Sequence, residues 1–171
     1  LGSKVTSSIL TIKEDPFQLS GNASTSFDDD GVMVQPRVVV DKGYLSGYFL
    51  STYSGRRLGM ETTGNAGGAH NLIIDSTVEN LNKLIAQMGT GLIVTELMGQ
   101  GLNMVTGDYS RGVAGLWVEK GVIKHAVEEI TIAGNMKDML MGIVGVGGDL
   151  YLNGSKYTGS ILIESMTVAS N

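Results

Sequence analysis

Two stretches of this sequence follow one plan: an apolar run, a three-residue polar link ending in glycine, and a second apolar run that returns. Val32-Met33-Val34 and Arg37-Val38-Val39-Val40 lead through Asp41-Lys42-Gly43 to Tyr44-Leu45-Ser46-Gly47-Tyr48-Phe49-Leu50. Val113-Ala114-Gly115-Leu116-Trp117-Val118 leads through Glu119-Lys120-Gly121 to Val122-Ile123-Lys124-His125-Ala126-Val127. A link of that length with glycine last suits a type I turn closed by a left-handed bulge, so each stretch reads as a β-hairpin. Two such turns are too few to make an internal repeat. Further strands are expected at 5–12, before the turn cluster Lys13-Glu14-Asp15-Pro16, and at 92–97 and 159–163. The 25 glycines against two prolines agree with many tight turns, and the lack of a Gly-X-Y period excludes collagen.

One amphipathic helix is expected at about 76–88. Ser76 and Glu79 have capping-box spacing, Leu81, Leu84, Ile85 and Met88 line one face, and Gly89 ends it. A shorter helix is expected at about 136–143, capped by Asn135, with Met136, Met139, Leu140 and Ile143 on one side as core filler. No Pro/Ser linker divides the chain. The reading is a single α+β domain over 1–171, β-rich, with mostly antiparallel sheet or a barrel-like arrangement.

Several function classes fall away. The 42% hydrophobic content excludes a disordered chain, and no apolar run is long enough to cross a bilayer. The net charge of −5, with twelve basic residues scattered along the chain, argues against nucleic acid. The absence of cysteine removes disulfides, thiolate metal sites and cysteine nucleophiles, and leans towards a reducing compartment, the cytoplasm. The chain opens without Met on what reads as a strand under way, as a processed or truncated product would.

Candidate chemistry is sparse. The two histidines, His70 and His125, lie far apart, and neither has a helical Glu and second His beside it, so no zinc site is assembled in sequence. The acidic run Asp28-Asp29-Asp30 lacks the alternation of a calcium loop and reads as a solvated turn. No Gly-x-Ser-x-Gly elbow is present. Gly145-Val146-Gly147-Gly148-Asp149-Leu150 lacks the strand–helix setting of a dinucleotide site. The most distinctive feature is a pair of Gly-rich polar segments, Thr95-Glu96-Leu97-Met98-Gly99-Gln100-Gly101 and Thr106-Gly107-Asp108-Tyr109-Ser110-Arg111-Gly112. They read as two turns. An Asp108–Arg111 ion pair would fix them, or Arg111 would receive a carboxylate on its planar fork.

At these residues the chain resembles the PmbA/TldD family, specifically its PmbA (TldE) branch. The matching runs are Ser51-Thr52-Tyr53-Ser54-Gly55-Arg56-Arg57-Leu58-Gly59, Ala66-Gly67-Gly68, Met88-Gly89-Thr90-Gly91-Leu92, Val94-Thr95-Glu96-Leu97-Met98-Gly99-Gln100-Gly101, Gly107-Asp108-Tyr109-Ser110-Arg111-Gly112 and Glu129-Ile130-Thr131-Ile132-Ala133-Gly134-Asn135. The resemblance implies the β-rich carboxy-terminal domain of a larger protein with an amino-terminal α/β domain. It also implies a zinc peptidase made of TldD and PmbA subunits, which trims or degrades unstructured peptides such as antitoxin and microcin precursors. An older label for the family is modulator of DNA gyrase.

The family's catalytic subunit carries His-Glu-x-x-x-His and a metal-binding Cys near its carboxy terminus. Neither is in this chain, where Gly154–Ser160 occupies the region of that Cys. A further departure is Asn65, where many relatives have His. The expectation is therefore no catalytic residue and no metal in this chain, zinc in a TldD-type partner, and an unfolded peptide as substrate. Thr95, Glu96, Gly99, Gln100, Gly101, Gly107, Asp108, Tyr109, Ser110 and Arg111 are the candidates for peptide binding or the subunit interface. A structural homodimer and a stand-alone enzyme with its own site remain the alternatives.

Overall fold

The computed structural model describes residues 1–170. Along the chain run β1 (Ile12–Glu14), β2 (Arg37–Asp41), β3 (Tyr44–Leu45), α1 (Thr52–Leu58), β4 (Leu72–Ile74), α2 (Leu81–Met88), β5 (Gly91–Met98) and β6 (Asp108–Glu119). There follow β7 (Val122–Asn135), α3 (Met136–Met141), β8 (Ile143–Val146), β9 (Tyr151–Asn153), β10 (Lys156–Thr158), β11 (Ile161–Ile163) and β12 (Thr167–Ser170). These elements gather into two compact units, Leu1–Ser76 with Leu150–Gly159, and Thr77–Asp149 with Ser160–Asn171.

The first unit is a six-stranded sheet in the order β3-β2-β1-β4-β10-β9, antiparallel except for the β4–β10 pair. Leu10, Val34, Val39, Val40 and Leu50 are buried in it. The second unit holds an antiparallel sheet in the order β12-β7-β6-β5 and the separate pair β11-β8. Its buried side chains include Leu84, Ile85, Val113, Val118, Ile132, Ile143 and Val146, each stabilising the fold by roughly 1.5–3 kcal/mol relative to exposure. The α+β class and the antiparallel character hold. The barrel-like option does not, because each sheet ends in open strands.

Both hairpins form with tighter turns than expected, but the first returns only over Tyr44–Leu45 and leaves Val32–Val34 outside it, Met33 making an isolated bridge to Phe27. Asp41 pairs with Tyr44 and Glu119 with Val122, which leaves two-residue loops. Lys42 and Gly43 have φ of 45° and 86°, Lys120 and Gly121 of 52° and 72°. Two positive φ values in succession make a type I′ turn, whose twist matches that of the strands. At Gly43 a side chain would strike the carbonyls of Thr6 and Ser7, so glycine is needed for space as well as conformation.

The helices differ from expectation at their starts. The long helix begins at Leu81 under an Asn80 cap, not at Ser76. Thr77 and Val78 both donate their N–H groups to the Val146 carbonyl, at 2.8 and 3.0 Å, Val78 in a parallel bridge to Gly147, and this pairing displaces the Ser76–Glu79 box. The apolar face is as read, with Leu84 and Ile85 buried and Gly89 at the end. The short helix has its Asn135 cap but stops at Met141, since Ile143 starts β8, and Leu140 is exposed.

Helix α1 lies in a stretch for which only family likeness had been noted. Ser51 and Ser54 cap each other reciprocally, and Gly59 closes the helix at φ 64°. Its mid-helix Gly55 packs where a β-carbon would press on the Met60 carbonyl at 2.9 Å. The amino-terminal strand is also shorter than expected: β1 starts at Ile12, and Glu14 lies in it rather than in a turn.

Candidate functional site

The two polar segments nominated from sequence meet at one end of the β5–β6 hairpin, as continuations of its strands more than as turns. Glu96, Leu97 and Met98 belong to β5, and Asp108 to Gly112 belong to β6. Pairing runs past Met98↔Gly112 to a Leu102–Tyr109 bridge, and the Ser110 N–H donates to the Gly101 carbonyl at 2.8 Å. Gly101 permits that approach, since a β-carbon there would collide with the Ser110 carbonyl. The turn itself is at 103–107. The Asn103 side chain accepts the N–H groups of Val105 and Thr106 at 2.9 and 3.3 Å, an Asx turn. Gly107 follows at φ 80°.

Asp108 and Arg111 form no ion pair. Three positions apart on a strand, they project to opposite faces of the sheet. The Asp108 carboxylate accepts the Thr106 hydroxyl at 2.7 Å and the Asn135 amide at 3.4 Å. Arg111 donates instead to main-chain carbonyls, Nε to Met98 at 3.4 Å and Nη2 to Leu97 at 3.3 Å and to Gly99. Its guanidinium pins the end of β5, so the anticipated free fork for a carboxylate is already engaged.

Residues 100–103 and 108–110 line a shallow, open concavity of about 480 Å³. Of the nominated residues, Gln100, Gly101, Asp108, Tyr109 and Ser110 line it. Gly99, Gly107 and Arg111 shape its surroundings, and Thr95 and Glu96 lie farther along β5. Thr95 sits at a bulge and donates its hydroxyl to the Ala114 carbonyl at 3.2 Å. Beyond the concavity the turn presents Met104 and Val105, 85% and 94% exposed. Such a surface can hold main-chain and apolar groups of another chain. It has no paired base and nucleophile.

The first unit contains a buried polar cluster that sequence reading missed. Glu14, 1% exposed, accepts Arg37 Nε at 2.7 Å, Asn65 Nδ2 at 2.7 Å and the His70 N–H at 2.8 Å. Asn65 Oδ1 in turn accepts Arg37 Nη2 at 2.8 Å and the Thr63 hydroxyl at 2.7 Å. The His70 ring Nε2 lies 2.9 Å from the Gly64 carbonyl. No buried side-chain polar atom among the described residues lacks a partner. The buried Glu14 carboxylate beside the half-buried Arg37 guanidinium is tolerated because three N–H groups meet the carboxylate and one of them is the arginine's own. The sequence signal was an acid in register with apolar residues: Glu14 shares a strand face with Ile12.

The acidic run is a turn with Asp29 and Asp30 exposed, as read, but its first residue is not solvated. Asp28 is buried and gathers the N–H groups of Asp30, Val32 and Ala66 at 2.9–3.0 Å. Asp30 accepts the hydroxyl and N–H of Thr52 at 2.6 and 2.9 Å, at the start of α1. Those bonds, the hydroxyl first, hold its carboxyl below the usual range. Gly147 and Gly148 pack against Asp149 and the Glu79 carbonyl, where no β-carbon fits, a structural use of that glycine run.

Donors for a hydrolytic metal are not assembled. No group of three His, Cys, Asp or Glu among the described residues has the spacing to hold an ion. His70 is buried with its ring on a carbonyl, and His125 is an exposed residue of β7 opposite Trp117. No helix among the described residues is long and apolar enough to cross a membrane.

The family model for the PmbA/TldA metallopeptidase C-terminal domain matches residues 1–170. The chain belongs to the PmbA/TldD family. It is 48% identical over 169 residues to the metalloprotease PmbA of Escherichia coli O157:H7, covering 99% of this chain and 38% of that protein. Haemophilus influenzae separates the branches. Its PmbA homolog is 47% identical over 100% of this chain and 38% of the relative, its TldD homolog 27% identical over 84% and 32%. A crystal structure from Thermotoga maritima, named as a suggested modulator of a DNA gyrase, superposes with a TM-score of 0.91 at 36% identity. It covers 99% of this chain and 41% of that one. The chain thus spans about two-fifths of the length of the family members it matches.

Proposed function

We propose that this domain belongs to the metal-free subunit of a two-subunit cytoplasmic peptidase, and that its β5–β6 end receives an unfolded peptide beside a TldD-type, zinc-bearing partner. The observation that carries the reading is the convergence of residues 100–103 and 108–110 on one open concavity that continues the outer edge of β5. β5 has no strand beyond it among the described residues. Main-chain hydrogen bonding to an open edge gives affinity largely independent of sequence, as suits an enzyme for unstructured chains. The backbone beneath the apolar tip of Met104 and Val105 is fixed as a turn by the Asn103 side chain.

Hydrolysis requires a metal or a paired base and nucleophile, and the site supplies neither. In this proposal the reaction centre lies in the partner, as the family resemblance implies, and this domain holds and orients the peptide. The test is Arg111→Ala in the full-length protein assembled with the metal-bearing subunit. Freeing the end of β5 is expected to lower peptide turnover by about tenfold, because a displaced binding surface holds the peptide out of position for the reaction. Unchanged turnover and unchanged assembly would remove the β5–β6 end from the account.

A further inference from the structure

We infer that Asp108 makes the β5–β6 concavity selective for a cationic group of the peptide: a lysine ammonium, an arginine guanidinium or the amino-terminal ammonium. The inference rests on the peptide-holding role proposed above and adds a substrate class to it. Among the residues that line the concavity Asp108 is the one acidic side chain, and no basic one is present. The rest of the lining offers hydroxyl, amide and apolar groups, which do not discriminate by charge. The Asp108 side chain is exposed and forms no ion pair among the described residues. Arg111, three positions on, is turned to the opposite face and is taken up by the carbonyls of Leu97, Met98 and Gly99.

The carboxylate lacks a counter-ion, yet it is held in place. The Thr106 hydroxyl donates to Oδ2 at 2.7 Å and the Asn135 amide to Oδ1 at 3.4 Å, so each oxygen keeps a lone pair to spare. Both donors are neutral and leave the negative charge uncompensated. A fixed, uncompensated carboxylate is a preorganised acceptor for the N–H groups of a cation, and a guanidinium can engage both oxygens at once. An amide oxygen would accept the Thr106 hydroxyl as well, so the turn alone does not call for a charge at this position. A cationic ligand does. The net charge of −5 on the chain favours the approach of such a peptide.

The test is kcat/KM of the full-length protein, assembled with the metal-bearing subunit, on an unstructured neutral peptide. One position, moved along the peptide, carries Lys, Arg, norleucine or Glu, and each peptide is made with a free and an acetylated amino terminus. At the best position Lys or Arg is expected to exceed norleucine by about fivefold, the upper end for an ion pair still open to solvent. A preference lost on acetylation instead identifies the amino terminus as the cation. High salt is expected to shrink the ratio in the parent protein. Asp108→Asn is expected to bring the ratio close to one, and Asp108→Lys to favour Glu over Lys. Ratios between peptides on one preparation cancel any loss of folded protein. A parent that treats all the peptides alike, a preference insensitive to salt, or one that survives Asp108→Asn would overturn the inference. If Arg111→Ala lowers turnover of every peptide while these ratios stay flat, the selectivity fails and the peptide site stands. If neither residue matters, both fall.

Discussion

Arg37 and Arg111 show how differently the two units use the same side chain. In the first unit Arg37 meets a carboxylate, an amide oxygen and the Tyr48 carbonyl, and it lies beneath the ring of Phe49 with its charge balanced by Glu14. In the second unit Arg111 meets three carbonyls and no acid, on an exposed hairpin end. The first arrangement closes on itself and leaves nothing for a ligand. The second holds a surface in shape and leaves polar and apolar groups facing outward. Polar residues in this chain therefore signal function only where their partners do not use them up.

That contrast breaks most visibly at Glu14. Glu14→Ala leaves the half-buried Arg37 guanidinium, the Asn65 amide and the His70 N–H without their acceptor and is expected to cost about 3–5 kcal/mol, read as a lowered urea midpoint. A midpoint within error of the parent would mean that the cluster is not holding the first unit together. Arg111→Ala is expected to cost under about 1 kcal/mol in the same titration, because exposed bonds contribute little to stability. Its effect should appear in peptide turnover. Equal stability losses at the two arginines would erase the distinction.

The smallest expected effect is at Asp30. Its carboxyl is held below the usual range by Thr52, so its contribution is present above the unfolded-state value of about 3.9 and is lost as pH falls through the lower folded value. Asp30→Asn is expected to flatten the acid limb of the stability–pH curve and to destabilise modestly at neutral pH. A steeper acid limb in the variant would reverse the sign of this assignment.

Much of the second unit was legible because its signals are local. Leu81, Leu84, Ile85 and Met88 recur at helical spacing, Gly89 ends the run, and Lys120-Gly121 announces its turn, as Lys42-Gly43 does in the first unit. Readings failed where a distant segment decided the outcome. Ser76 resembles a helix cap, but Val146, far along the chain, claims the N–H groups of Thr77 and Val78. Asp108 and Arg111 look like a pair in sequence, and strand alternation separates them. Glu14, Arg37 and the Asn65–His70 loop come from three separate stretches, and only the fold joins them. Helix α1 had its Ser51, Ser54 and Gly59 signals in plain view, masked by a mid-helix glycine whose reason lies in the packing against Met60.

The proposed function divides the labour between a domain that holds peptide and a partner that supplies the metal. The direct measurement is hydrolysis of an unstructured peptide by the purified full-length protein, alone and then titrated with a TldD-type subunit. Activity absent alone, rising until the subunits are equimolar, and abolished by a zinc chelator is the predicted result. Turnover by the protein alone, lost on a point change within this domain and untouched by the chelator, would contradict it.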